Sequence, residues 1–189
     1  MGKPRVFGRF IAHNRTRVVL REPESEDLEG LLAFVNELVT EKKEDKNSQL
    51  FTGFESRFDR RQESKWLREL LARIRDGGVL CVLAEVDGEI VGNGEIVRGE
   101  YAETRHHGRL ALTIDETHRG LGIGREMLKA LLTEAGRVGL KTVHVEFLST
   151  NKSALRAYRK TGFKKVGTIP KKVYRNGTFV DSLIMARDL

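Results

Sequence analysis

Apolar residues along the chain follow two periods, and these periods predict where strands and helices lie. Alternating or continuous apolar runs predict strands, at 16–22, 79–86, 89–97, 109–114, 141–148, 164–174 and 178–186. Spacings of three and four residues predict helices, at 26–40, 62–75, 125–138 and 152–161. Asp87-Gly88 and Asn176-Gly177 suit the tight turns of two hairpins. The pattern predicts one domain of mixed α and β structure over residues 1–189, with residues 1–15 as a loosely ordered extension.

A glycine-rich segment lies where the predicted strand 109–114 leads into the helix at 125–138. It reads Arg119-Gly-Leu-Gly-Ile-Gly-Arg125. The first N–H groups of a helix have no internal partner, and the helix dipole attracts negative charge, so this segment is suited to a phosphate group. No Lys-Ser or Lys-Thr follows the glycines, and their spacing differs from the dinucleotide fingerprint, which disfavours both of those nucleotide loops. A glycine-rich turn without a ligand is the alternative interpretation.

Two motifs give the chain a resemblance to a known family. The pattern R-x-x-G-x-G, formed by Arg119, Gly122 and Gly124, resembles the pyrophosphate-binding motif of the GNAT superfamily of acyl-CoA-dependent N-acyltransferases. Residues 151–163 resemble the segment N-x-x-A-x-x-x-Y-x-x-x-G-F of the same family. The two motifs occur in the family's order, and the predicted elements match its fold from about Thr16 to the C-terminus.

The resemblance implies a fold and a cofactor. The fold is α/β (α+β), with a mixed, mostly antiparallel central sheet of about six to seven strands and about four flanking helices. Acetyl-CoA would lie where two parallel strands part, here 109–114 and 141–148. The residues matching the family's cofactor contacts are Leu112, Thr113, Ile114, Arg119, Gly120, Leu121, Gly122, Ile123, Gly124, Arg125, Asn151 and Tyr158. Asn151 would either contact the cofactor or fix the helix that follows it.

The implied reaction is direct attack of an amine on the thioester, through a tetrahedral intermediate. Because an amine is protonated at neutral pH, a base must first remove its proton. Glu146 matches the catalytic glutamate of the GNAT branch that acetylates ribosomal-protein N-termini, and Glu95 is a second candidate. The alternative role of Glu146 is an ion pair with Lys or Arg on the sheet face. Tyr158 would protonate the departing thiolate, or else be a core aromatic, and the Ile114 amide would polarise the thioester carbonyl.

Acceptor choice in this family depends on the first two helices, the segment between them and the C-terminal hairpin. Here the segment 41–60 is polar but holds several aromatic residues, which predicts that it folds over a site or plugs the core. Gly92 and Gly94 interrupt a strand and indicate a bulge or a close ligand approach. A protein N-terminus or lysine, a polyamine, an aminoglycoside and an amino-acid-like molecule all stay open as acceptors.

Composition changes this interpretation little. The 189 residues carry a net charge of +7 that is spread along the chain, which disfavours a dedicated nucleic-acid-binding protein but keeps it as one alternative. An acyl-CoA-sensing module without activity is the other alternative. The single cysteine and five histidines show no ligand spacing, so no metal is expected. No apolar run or leader peptide is evident, which predicts a cytoplasmic enzyme without membrane contact, compatible with a homodimer.

Overall fold

The computed structural model describes residues 4–189, and the first three residues lie outside the described part. Its regular elements, in chain order, are β1 (Val6–Ile11), β2 (Arg17–Arg21), α1 (Leu28–Glu44), α2 (Arg60–Arg75), β3 (Val79–Val86), β4 (Glu89–Arg98), β5 (His107–Ile114), α3 (Ile123–Arg137), β6 (Thr142–Leu148), α4 (Lys152–Lys160), β7 (Lys164–Arg175) and β8 (Thr178–Asp188). Short 3₁₀ turns at 25–27, 102–104 and 116–118 precede α1, β5 and α3.

The strands form one eight-stranded sheet in the order β1-β2-β3-β4-β5-β6-β8-β7. Within residues 4–189, β5 and β6 pair in parallel and every other neighbouring pair is antiparallel. Four α-helices flank the sheet. The predicted fold class is confirmed, with one strand more than the upper end of the predicted range.

The additional strand is β1, which lies inside the segment predicted to be loosely ordered. That prediction is wrong for residues 6–11, because they pair antiparallel with β2. Phe7 and Phe10 pack against the buried cluster on the α3 side of the sheet, which supplies the apolar burial that a loose extension lacks. Residues 1–3 of the predicted extension lie outside the described residues.

Two apolar layers hold the helices to the sheet. On one face, α3 buries Met127, Leu128 and Leu131 completely against the central strands. A Cβ atom on Gly94 would lie 2.8 Å from Leu131 Cδ1, and one on Gly92 would lie 3.0 Å from Met127 Sδ. These glycines therefore allow the close approach of a helix to β4, and the β3–β4 ladder is irregular beside Gly92, which agrees with the expected bulge. On the other face, α1 and α2 pack on β3 and β4 through a second apolar cluster.

The central feature of the sheet is the point where its two parallel strands part. The β5–β6 ladder covers only His107–Leu110 against Thr142–Val145. Beyond it, β5 pairs with β4 alone and β6 pairs with β8 alone. In the described chain, the backbone groups of residues 111–114 that face β6 thus have no strand partner. Buried backbone polar groups need partners, so this edge is prepared for water or a ligand.

The segment between α1 and α2 is fixed over this region by hydrogen bonds. Lys42 Nζ donates to the backbone oxygens of Thr52 and Phe54, at 2.7 and 2.9 Å. Arg175, at the end of β7, donates to the oxygens of Ser48 and Leu50. Leu50 and Phe54 pack into the apolar cluster beneath α1 and α2, so both interpretations of the segment hold: it plugs the core and it covers the sheet edge.

Candidate functional site

The parted strands open onto a cleft that continues along the glycine loop. The part between β5, β6 and the start of α4 has a volume of about 310 Å³. It shares Leu112, Ile114, Ala154 and Tyr158 with a groove of about 570 Å³ that runs beneath residues 119–125. The structure thus brings the end of β5, the glycine loop and the second motif to one continuous cavity.

The glycine loop presents unpaired amides at the start of α3. Gly120 and Gly122 have φ values of +77° and +90°, a conformation that L side chains rarely adopt. A Cβ atom on Gly124 would lie 3.1 Å from Ile114 Cδ1, so this position keeps the loop close to β5. No hydrogen bond within residues 4–189 engages the amides of residues 120–124. Free amides at a helix N-terminus bind anions such as phosphate.

Cationic side chains surround these amides, and two of them were not predicted from the sequence. Arg125 lies at the rim of the groove, as expected. Arg156 and Lys160, on α4, line the groove from its other side. In the sequence they belong to the basic face of a short helix. Such a face is usually exposed to solvent, so it does not by itself indicate a binding site. Only the tertiary structure places residues of this face on the same groove as the glycine loop.

Arg119 has a structural role that the motif did not reveal. Its guanidinium makes two hydrogen bonds to the Glu41 carboxylate, at 2.8 and 2.6 Å, and Nε donates to the Ile114 oxygen at 2.9 Å. The side chain therefore ties the glycine loop to the end of α1 and to β5. Arg119 also lines both parts of the cleft, but its charge is paired with Glu41, so its role in this structure is to position the loop.

Asn151 acts as the N-cap of α4. Its Oδ1 atom accepts hydrogen bonds from the Ala154 amide at 3.0 Å and from Ser153 Oγ at 2.9 Å. Side-chain oxygens at this position satisfy the free amides of a first helical turn. Of the two roles open from the sequence, fixing the helix is the one seen in the structure, and this in turn places Tyr158.

Tyr158 lies at the centre of the cleft. Its ring packs against Phe147 and Phe163, with centroids 5.2 and 5.4 Å apart. Burial raises the pKa of its phenol above the ordinary value, so the hydroxyl keeps its proton through the neutral range. In the part of the chain that the structure describes, no hydrogen bond engages this hydroxyl, and the residue lines both parts of the cleft. The residue is thus a core aromatic that also lines the cleft.

Glu146 is engaged in an ion pair. Lys172 Nζ and Ser182 Oγ both donate to its Oε1 atom. Partial burial opposes ionisation, but these hydrogen bonds outweigh it, and the pKa of Glu146 is lowered from the ordinary value. The pairing with a lysine on the sheet face, considered as an alternative from the sequence, is therefore present. A carboxylate with a lowered pKa is a weak base, although Glu146 does line the cleft.

Glu95 lies on β4 directly across from Ala111, the first β5 residue beyond the parallel ladder. Its carboxylate accepts a hydrogen bond from Asn93 Nδ2 at 2.9 Å. Burial raises the pKa of Glu95. The Asn93 hydrogen bond and the charges of Arg73 and Arg109 lower it by less, so the net shift is upward. The side chain lines a separate cavity of about 370 Å³ between β4, β5, α1 and α2, and that cavity also touches residues 111–113. The structure thus places a carboxylate with a raised pKa beside the parting strands.

His107, His144 and Cys81 do not line either part of the cleft. The rings of His107 and His144 stack 4.7 Å apart in the part of the sheet where β5 and β6 still pair. Cys81 is buried, and its thiol donates to Asn93 Oδ1 at 3.3 Å. No group of three or more His, Cys, Asp or Glu side chains in residues 4–189 is arranged to hold a metal ion. No helix of the described chain has the length and apolar character needed to cross a membrane.

The mixed sheet, its parted parallel strands and the glycine loop at the start of α3 are the arrangement that the resemblance to the GNAT superfamily implies. The sequence profile of the acetyltransferase (GNAT) family matches residues 43–163, and the chain belongs to this family. The suspected resemblance is confirmed.

Relatives and solved structures agree with this membership. An L-methionine sulfoximine/L-methionine sulfone acetyltransferase of Pseudomonas paraeruginosa is 25% identical over 176 residues, covering 90% of this chain and 94% of that protein. A ribosomal-protein-alanine N-acetyltransferase structure from Brucella melitensis has a TM-score of 0.75 and 27% identity, over 90% of this chain and 99% of that one. A structure of yncA from Salmonella typhimurium, described with its cofactor acetyl-CoA, shares the fold at a TM-score of 0.76 and 20% identity, over 91% and 94% of the two chains.

Proposed function

We propose that this chain acts as a single catalytic domain that transfers an acetyl group from acetyl-CoA to a primary amine. The observation that carries the proposal is the continuous cavity of a GNAT-family chain, in which unpaired loop amides, parted strands and the Tyr158 hydroxyl meet. The related structures that hold acetyl-CoA or coenzyme A support the choice of cosubstrate.

The residues present fit a pantetheine diphosphate. The amides of 120–124 together with Arg125, Arg156 and Lys160 supply donors and positive charge for the pyrophosphate. Beyond the parallel ladder, the edge of Leu112, Thr113 and Ile114 supplies backbone groups for the amides of the pantetheine arm, apart from the Ile114 oxygen, which accepts from Arg119 Nε. Both features lie on the same groove, so one extended molecule can use them together.

Glu95 is the better supported general base. The amine must lose a proton before it attacks the thioester carbonyl, and a carboxylate with a raised pKa accepts that proton more readily. The pKa of Glu95 is raised by burial, whereas Glu146 has a lowered pKa and is paired with Lys172. We therefore assign the base to Glu95 and give Glu146 the role of holding β7 against the cleft.

Tyr158 is assigned as the general acid. After the amine nitrogen bonds to the carbonyl carbon, the carbon–sulfur bond breaks and CoA leaves as a thiolate. The phenol of Tyr158, kept protonated by burial, donates its proton to that sulfur. The products are the amide and free CoA.

The experiment that tests the proposal combines binding and turnover. Thermal unfolding with CoA or acetyl-CoA should show a raised midpoint, by about 2.7 kcal/mol of added stability at a hundredfold excess over Kd, whereas NAD should have little effect. Glu95→Gln should keep this shift and lower kcat by about a hundredfold, with Glu146→Gln as the matched control. A CoA shift without turnover on any amine would identify an acyl-CoA-binding module. No shift with either CoA species would refute the proposal.

A further inference from the structure

The cavity beside Glu95 has walls and polar groups that the transfer reaction does not use. We refer to it as the aromatic pocket. Its walls come from α1, α2, β5 and the fixed segment between the helices, and its aromatic members are Phe34, Phe51, Phe54, Phe58 and Trp66. Phe54 and Phe58 meet edge to face, with centroids 5.2 Å apart. The pocket also touches Ala111, Leu112 and Thr113, so it opens toward the parting strands.

Glu63 is the unusual residue of this pocket. It lies on α2, and the residue is only 4% exposed. Among residues 4–189, no hydrogen-bond donor and no cation pairs with its carboxyl group, although the residue lines the cavity. Burying a charged carboxylate without a partner carries a large desolvation cost, and Glu63 reduces this cost by holding its proton more tightly. A cation in the pocket would remove the same cost by pairing with the ionised carboxylate.

We propose that the aromatic pocket binds a second cationic group of the acceptor, an ammonium or guanidinium at the far end of an apolar arm. This inference rests on the proposed transferase function. A cation with several N–H groups would pair with the Glu63 carboxylate, and the faces of the surrounding aromatic rings attract cations. The charged residues among those that line the pocket are Glu63, Glu95 and the exposed Arg109, so the net charge of the lining favours a cation.

The arrangement assigns different tasks to the two carboxylates. Glu95 lies next to the β5 residues at the parting strands, where the amine to be acetylated would be deprotonated. Glu63 holds the group that stays charged. The expected acceptor class is therefore a linear or aromatic diamine, or a small molecule with an amine and a guanidinium, in preference to a monoamine of the same length.

The test compares matched amines on matched variants. Linear α,ω-diamines, from diaminopropane to diaminooctane, are compared with n-alkylamines of the same length by CoA release. For the wild-type protein, kcat/KM of the best diamine should exceed that of its monoamine by about tenfold or more, as expected for a hydrogen-bonded charge. Glu63→Gln should reduce this ratio, with the loss mainly in KM. Glu69→Gln, an exposed carboxylate on the same helix, should leave the ratio unchanged.

A binding measurement tests the cation site independently of the proposed acetyl transfer. Calorimetric titration of the best diamine into CoA-loaded protein should give a Kd that weakens about tenfold in Glu63→Gln, whether or not the amine is acetylated. A diamine that binds in this manner without turnover would refute the transferase and leave the cation site standing. Equal kcat/KM values and equal affinities for diamines and monoamines would overturn the cation site. A Glu63→Gln variant that weakens the binding of diamines and monoamines alike would also overturn it.

Discussion

The burial of Glu63 makes a prediction about stability that needs no ligand. Burial raises the pKa of this carboxyl from 4.5 to about 7 in the folded chain. The folded state therefore holds the proton more tightly than the unfolded state does. As the pH rises from about 4.5 through about 7, the carboxyl ionises more readily in the unfolded chain, so its contribution to stability falls and then levels off.

The magnitude follows from the shift. One pKa unit corresponds to about 1.4 kcal/mol, so the shift sets a ceiling of about 3 kcal/mol. The carboxyl faces a cavity that water can enter, which screens part of the charge, and we expect about 1–2 kcal/mol. Glu63→Gln keeps the shape of the side chain and removes its titration. The variant should therefore match the wild-type protein near pH 4, below the unfolded pKa, and be more stable than it by that amount near pH 8.

The assay is urea unfolding of the wild-type protein, Glu63→Gln and the exposed control Glu69→Gln at both pH values. At each pH, the free energy of unfolding of each variant is compared with that of the wild-type protein. The informative quantity is how much this difference changes between the two pH values. For Glu69→Gln this quantity should be close to zero. If it is also close to zero for Glu63→Gln, the carboxyl is not desolvated, and the argument for an unsatisfied charge in the aromatic pocket fails.

Two further predictions concern the cleft and the core. Tyr158→Phe should lower kcat by about a hundredfold with unchanged CoA affinity, while the exposed control Tyr101→Phe keeps full activity; unchanged turnover in Tyr158→Phe would remove the acid assignment. Gly94→Ala would place a Cβ atom 2.8 Å from a methyl carbon of α3 and should cost about 1–3 kcal/mol in urea unfolding. Gly136→Ala, where nothing lies within 4 Å of the added atom, should be neutral or stabilising; equal effects of the two alanines would contradict the packing argument.

The local pattern was sufficient for most of the fold. The strand at 79–86 and the hairpin turns at Asp87-Gly88 and Asn176-Gly177 lie where the sequence places them. The exception was β1, a short edge strand with glycine and arginine inside it, whose stability comes from pairing with β2 and from packing of its two phenylalanines. An edge strand carries a weak pattern because much of it faces solvent, and its pairing is a long-range event.

The same distinction between local sequence pattern and tertiary contacts applies to the candidate site. The sequence by itself determined the family, the glycine loop and the segment that carries Asn151 and Tyr158, because their spacing along the chain is what places them on one loop and one helix. Only the tertiary structure decided that Glu146 is paired with Lys172, that Arg119 clamps Glu41, and that Glu63 is buried in an aromatic pocket. A carboxylate's pKa depends on burial and on charges that distant segments bring within a few ångströms, and the order of residues does not contain those distances.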